Sequence, residues 1–135
     1  MAIQNQTVIR GFASFDLVVT GLFALPWTAK LLFTLVYELH SVLIYANPPG
    51  FVINTMTLAF ANIMGLIGML WALVRLKTPT RDYARWDAIG RFYVAAILLW
   101  YIAGSLSPIF LIFVATELIG AIWQILLPKQ KQAQS

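Results

Sequence analysis

From Ser107 to Pro128 the chain reads Ser-Pro-Ile-Phe-Leu-Ile-Phe-Val-Ala-Thr-Glu-Leu-Ile-Gly-Ala-Ile-Trp-Gln-Ile-Leu-Leu-Pro, and Glu117 is its only ionisable residue. A helix over this run has the length needed to cross the hydrocarbon core of a bilayer, about 20 residues. A carboxyl near its middle is costly in lipid, so it calls for a partner or a function. The run 51–74 is equally apolar and carries no charge at all. With 61% hydrophobic and 10% charged residues in 135, the chain has more apolar surface than a water-soluble core of this size can hide. Lipid on the outside resolves that conflict, and the sequence is expected to form an all-α integral membrane protein in a single domain.

Four spans are predicted, at about 8–25, 51–76, 88–106 and 108–127, forming a four-helix bundle. Pro26-Trp27 ends the first, Ser107 can cap and Pro108 open the fourth, and Pro128 closes it. The start carries only Arg10 ahead of apolar sequence and no Ala-x-Ala pattern, so it reads as an uncleaved membrane helix. Between spans one and two, 28–46 places Lys30, Thr34, Glu38 and Ser41 on one helical face and Leu31, Leu35, Leu39, Val42 and Leu43 on another. This pattern predicts an interfacial amphipathic helix, with Tyr37 and Tyr45 at headgroup level, His40 on its surface, and Asn47-Pro-Pro-Gly50 as the turn back into the bilayer.

The segment 75–91 is expected to be a basic cytoplasmic loop, with Arg75, Lys77, Arg81, Arg85 and Arg91 as candidate contacts for anionic lipid. Together with Arg10, Lys129 and Lys131, these place eight of the nine basic residues on one side of a four-span topology. Only Lys30 lies on the other side, so the N and C termini are predicted to be cytoplasmic in a multi-pass protein of a bacterial-type inner (plasma) membrane.

Asn62-Ile-Met-Gly65 in span two echoes Glu117-Leu-Ile-Gly120 in span four, which suggests two helix hairpins of related build. Asp16, Asn62 and Glu117 each fall ten or eleven residues from an outer boundary. At a rise of 1.5 Å per residue that is a depth of roughly 15 Å. They are predicted to share a polar layer near the bilayer centre, with Trp100 and Tyr101 best placed to line a cavity there. Two carboxyls in such a layer are expected not to carry full charge together, and the layer could hold the polar head of a lipophilic ligand or relay a proton. The plainer reading is that the three residues bond to one another and hold the helices together.

The absence of cysteine excludes disulfides, thiolate metal sites and palmitoylation, and a single histidine leaves no metal set. The sequence contains no nucleophile elbow, Walker loop, dinucleotide fingerprint or zinc-protease motif, so no catalytic residue is assigned. No nucleic-acid partner is expected.

The four-span layout, the first span running from Ile9-Arg10-Gly11 to Gly21-Leu-Phe, the outer insertion and the polar-xx-Gly helix resemble the DoxX-like group of small bacterial inner-membrane proteins. That resemblance implies a quinone-linked or accessory membrane subunit; such proteins often have an acid where this chain has Asn62. Asp16 in the first span is also similar to the essential acid of small multidrug transporters, from which this chain departs in length, in the 28–50 insertion and in Glu117. The expected function is an inner-membrane accessory protein whose polar pocket binds a lipid or quinone. Its partners would be membrane lipids, further membrane subunits or a second copy of the chain. A proton-coupled transporter using Asp16 and Glu117, and a purely structural or assembly subunit, are the alternatives.

Overall fold

The computed structural model describes residues 2–44 and 52–128, and the secondary structure within them is helical throughout. Helix α1 spans Ala2–Ala24, α2 Pro26–Ile44, α3 Thr55–Lys77 and α4 Arg81–Gly104; a 3-10 turn, Pro108–Phe110, runs into α5, Leu111–Ile125. Four segments are long and apolar enough to cross a membrane: Asn5–Ala24, Thr55–Lys77, Arg81–Gly104 and Pro108–Ile125. The predicted Tyr45, the turn at 47–50, the start of span two at Phe51, and Lys129 and Lys131 lie outside the described residues.

Local chemistry sets the helix ends. Asn54 caps α3 by accepting the Thr57 amide at 2.8 Å, and Thr80 caps α4 by accepting from Tyr83 at 3.3 Å. Ser107 accepts from Ile109 at 3.2 Å with Pro108 in the first turn, as the sequence predicts for the start of the last span. At the junction of α1 and α2, Thr28 donates its hydroxyl to the carbonyls of Leu22 and Leu25, which closes the end of α1 before Pro26 opens α2. One expectation is corrected outright. The segment 75–91 is not a loop, because only 78–80 breaks the helices and α4 already begins at Arg81.

The helices pack as two pairs, α1 along α3 and α4 along α5, with little backbone contact between the pairs. Most of the fully covered apolar positions are small: Ala13, Ala72, Ala84, Ala88, Ala95 and Ala121 are fully or almost fully buried, with Ile9 the large exception. Large apolar side chains such as Phe15, Phe60, Ile67, Tyr93 and Ile112 point outward. This distribution suits helices that associate by close packing in lipid rather than by excluding water.

At Gly65 a β-carbon would stand 2.5 Å from the Ala24 nitrogen and 2.6 Å from the Phe23 carbonyl carbon, so glycine is what lets the backbones of α1 and α3 touch. The pairs are tied at both ends of the bundle. At one end Asn5 donates to the Pro128 carbonyl at 3.0 Å. At the other, His40 on α2 lies 3% exposed, with Nδ1 2.6 Å from Ser107 Oγ. The predicted surface position of His40 is therefore corrected, because α2 packs against α1, α3 and the 3-10 turn through the face that carries Ala29 and His40.

Candidate functional site

Between the two ties, the gap between the helix pairs is filled by charge. Asp16 projects from α1, Arg75 from the last turn of α3, Asp87 and Arg91 from successive turns of α4, and Glu117 and Gln124 from α5. The face of α4 that carries Ala84, Asp87, Ala88, Arg91 and Ala95 is one helical stripe, and all five residues are buried.

Arg75 donates through Nη2 to Asp16 Oδ2 and through Nη1 to Asp87 Oδ2, both at 2.5 Å. Arg91 donates through Nε to Asp87 Oδ2 at 2.8 Å, through Nη1 to Glu117 Oε2 at 3.0 Å, and through Nη2 to Asp16 Oδ2. Two arginines and two aspartates thus form a closed ring, with Glu117 attached at its edge. Asp87 also accepts from Trp71 Nε1 at 2.7 Å and from Gln124 Nε2 at 2.8 Å, which makes it the acceptor for four side chains on three helices.

Arg75 is 1% exposed, and its Nε is buried without a partner, as is Gln124 Oε1. The guanidinium fork is suited to this role, because it can bridge two carboxylates in fixed geometry. Removing one partner from a buried pair leaves the other charge uncompensated, at a cost of about 3–5 kcal/mol.

The sequence expectations divide clearly at this site. Asp16 and Glu117 both enter the cluster, joined through Arg91. Asn62 does not; its Nδ2 donates to the Phe23 carbonyl at 2.8 Å. The reason is register. α1 and α3 run antiparallel with Gly65 against Thr20, Phe23 and Ala24, so Asn62 meets Phe23, seven residues beyond Asp16. Seven residues of helix are about 10 Å.

Trp100 and Tyr101 are corrected as well. They are 79% and 61% exposed on α4, on faces away from the stripe that packs. Arg75 and Arg91 are not exposed contacts for anionic lipid, because carboxylates from neighbouring helices hold both inside the bundle. Of the other basic candidates, Lys77 and Arg85 are exposed, and Arg81 donates from Nε to the Leu127 carbonyl at 3.1 Å. Asp87, Trp71 and Gln124 were missed. The spacing Ala84, Asp87, Ala88, Arg91, Ala95 is a helical stripe of small and charged residues, and this is the sequence signal that points to Asp87.

Two openings flank the cluster. Between α3 and α4 lies an open cleft of about 400 Å³ with the charged ring as its floor; Thr20, Gly68, Trp71, Trp86, Gly90 and Val94 form its sides. A groove of about 460 Å³ lies between α1 and α5, lined by Val8, Phe12, Phe15, Ile119 and Trp123, with Arg91 shared by both openings. Arg91 also sits 5.7 Å from the centre of the Phe12 ring. No group of His, Asp or Glu able to hold a metal ion occurs among the described residues. No protein-family model, curated protein or solved structure matches the chain.

Proposed function

We propose that this chain is a small accessory protein of a bacterial-type inner membrane, and that its cleft between α3 and α4 receives the polar head of a lipophilic ligand such as a lipid or quinone. One observation carries the reading: the cleft combines a floor of buried, mutually paired charges with walls of Trp71, Trp86 and Val94, and it opens between two helices whose backbones stay apart and that meet through side chains. Sites for small molecules are concave and mostly apolar with a few convergent polar groups, and ionisable residues within membrane spans mark such sites. The DoxX-like resemblance points toward the same class of ligand and rests on sequence.

In this reading α2 lies in the outer interface. Leu31, Leu35 and Val42 stand exposed along one stripe of it, at 67%, 56% and 64%, and the exposed Glu38 and Lys30 border that stripe. That arrangement fits a helix that meets lipid on one flank and water on the next. The distribution of Lys and Arg supports cytoplasmic termini.

Native mass spectrometry of the protein released from its source membrane tests the reading. Gly90 lines the cleft, and a β-carbon there would meet nothing within 4 Å, so Gly90→Leu starts from open space and narrows the cleft. The wild type is expected to carry a bound lipophilic molecule that the variant loses. Equal occupancy in the two proteins would overturn the proposal. Retention of partner chains without any small molecule in either protein would favour a structural subunit, the reading supported by the closure of the ion pairs on themselves.

A further inference from the structure

The groove of about 460 Å³ between α1 and α5 continues into a second recess of about 360 Å³, and Val8 and Trp123 belong to both. The second recess ends at Asn5, Leu127 and Pro128. Periodicity builds this furrow. Val8, Phe12 and Phe15 recur at steps of four and three on α1, and Thr116, Ile119 and Trp123 at steps of three and four on α5. The two stripes run antiparallel: Asn5 meets Pro128 at one end, and Asp16 and Glu117 both meet Arg91 at the other. Each helix covers eleven residues between these levels. At 1.5 Å per residue that is about 16 Å. The hydrocarbon of one leaflet is about 15 Å deep, half of a core of about 30 Å. The furrow therefore runs the depth of a single leaflet, from the charged layer to the level at which the first span opens with Asn5.

Its walls are apolar, and the charge at its terminal end is basic. Arg81, in the first turn of α4, donates through Nε at 3.1 Å to the carbonyl of Leu127, which lines the terminal recess. Among the described residues no carboxylate pairs with Arg81, so its two terminal nitrogens remain for an acceptor from outside. A guanidinium fork meets a phosphate with two parallel bonds, and basic pockets between spans hold lipid head groups.

We propose that the furrow seats one acyl chain of a phospholipid from the leaflet on the side of the chain termini, with the lipid phosphate at Arg81. In the proposed topology this is the cytoplasmic leaflet. The assignment does not depend on what the cleft between α3 and α4 binds. A helix of a second copy would cover the apolar walls and leave the guanidinium without an anion, whereas a phospholipid meets both.

Native mass spectrometry of the protein purified in dodecyl maltoside tests this with dioleoylphosphatidylglycerol, and dioleoylglycerol supplies the same chains without a phosphate. Gly11 lines the furrow, and a β-carbon there would meet nothing within 4 Å, so Gly11→Leu starts from open space and narrows it. The wild type is expected to hold the phospholipid at least about tenfold more tightly than the diacylglycerol, a difference of about 1.4 kcal/mol. Gly11→Leu should weaken the phospholipid about tenfold, and Arg81→Gln should bring the two lipids to about equal affinity. The binding that Gly11→Leu removes is expected to persist in Gly90→Leu.

Equal retention by the wild type and Gly11→Leu would overturn the furrow site, and equal retention of the two lipids by the wild type would overturn the phosphate at Arg81. Loss in Gly90→Leu alone would move the lipid to the cleft, so that this assignment falls and the reading of the cleft stands. A dimer without lipid that Gly11→Leu splits would make a second copy the occupant and overturn the proposal. Should Arg81→Gln fail to fold, the comparison of the two lipids on the wild type still decides.

Discussion

The pairs α1/α3 and α4/α5 carry the same short pattern, a polar residue followed three positions later by glycine, and use it differently. In α3, Gly65 admits the backbone of α1, and Asn62 bonds a backbone carbonyl at 2.8 Å. In α5, Gly120 admits a side chain: a β-carbon there would lie 3.1 Å from Arg91 Nη1, and Glu117 bonds that same nitrogen at 3.0 Å. The first pair is sealed backbone to backbone. The second leaves room for a guanidinium, and the charged cluster and the cleft depend on that room. The same local motif therefore serves close backbone packing in one pair and a charged interior in the other.

Substitutions can break this comparison, and the largest effect is expected at the residue that joins the two pairs. Asp87→Ala strips the acceptor from Trp71, Arg75, Arg91 and Gln124. Unfolding in detergent should show a loss of about 3–5 kcal/mol. A loss below about 1 kcal/mol would mean that water or the remaining carboxylates replace Asp87.

Next comes Gly65→Ala, whose β-carbon would overlap fixed backbone and cost about 1–3 kcal/mol. Gly120→Ala meets the Arg91 side chain at 3.1 Å instead of backbone at 2.5 Å, so a smaller shift relieves it; it should cost less than Gly65→Ala and act mainly by moving Arg91 within its ion pairs. Equal effects at the two glycines, measured by thermal unfolding side by side, would erase the proposed distinction. Asn62→Leu removes a single bond to the Phe23 carbonyl, for about 1 kcal/mol, and should leave ligand occupancy of the cleft unchanged. Loss of ligand in that variant would return Asn62 to the site.

The candidate site was half legible in the sequence. Asp16 and Glu117 stand out because a lone carboxyl in an apolar run is costly whatever surrounds it. Arg75, Asp87 and Arg91 did not, because they lie among exposed charges near a proline, where a solvated loop and a helix end look alike in composition. The depth argument failed for Asn62 because counting residues from a boundary assumes that every helix starts at the same level. Gly68 lies against Thr20 and Gly65 against Phe23 and Ala24, so α3 reaches well past the end of α1, and Asn62 stands level with that end rather than with Asp16. Trp100 and Tyr101 lie nine and ten residues beyond Arg91 on α4 and on exposed faces, so they share neither the level nor the side of the layer that Asp16 and Glu117 form with Arg91.

By itself the sequence determined the helices, four of them long and apolar enough to cross a membrane, the small residues that let them approach, and the two carboxyls that lipid could not accept unpartnered. These follow from local composition and periodicity, which hydropathy and helix geometry translate directly. Only the tertiary structure decided that Glu117 and Asp16 are partnered by arginines from α3 and α4, that Asp87 anchors the ring, and that a cleft opens beside it. Pairing across helices depends on register and rotation, which no single segment encodes. The carboxyl in the middle of the last span thus has its partner in Arg91.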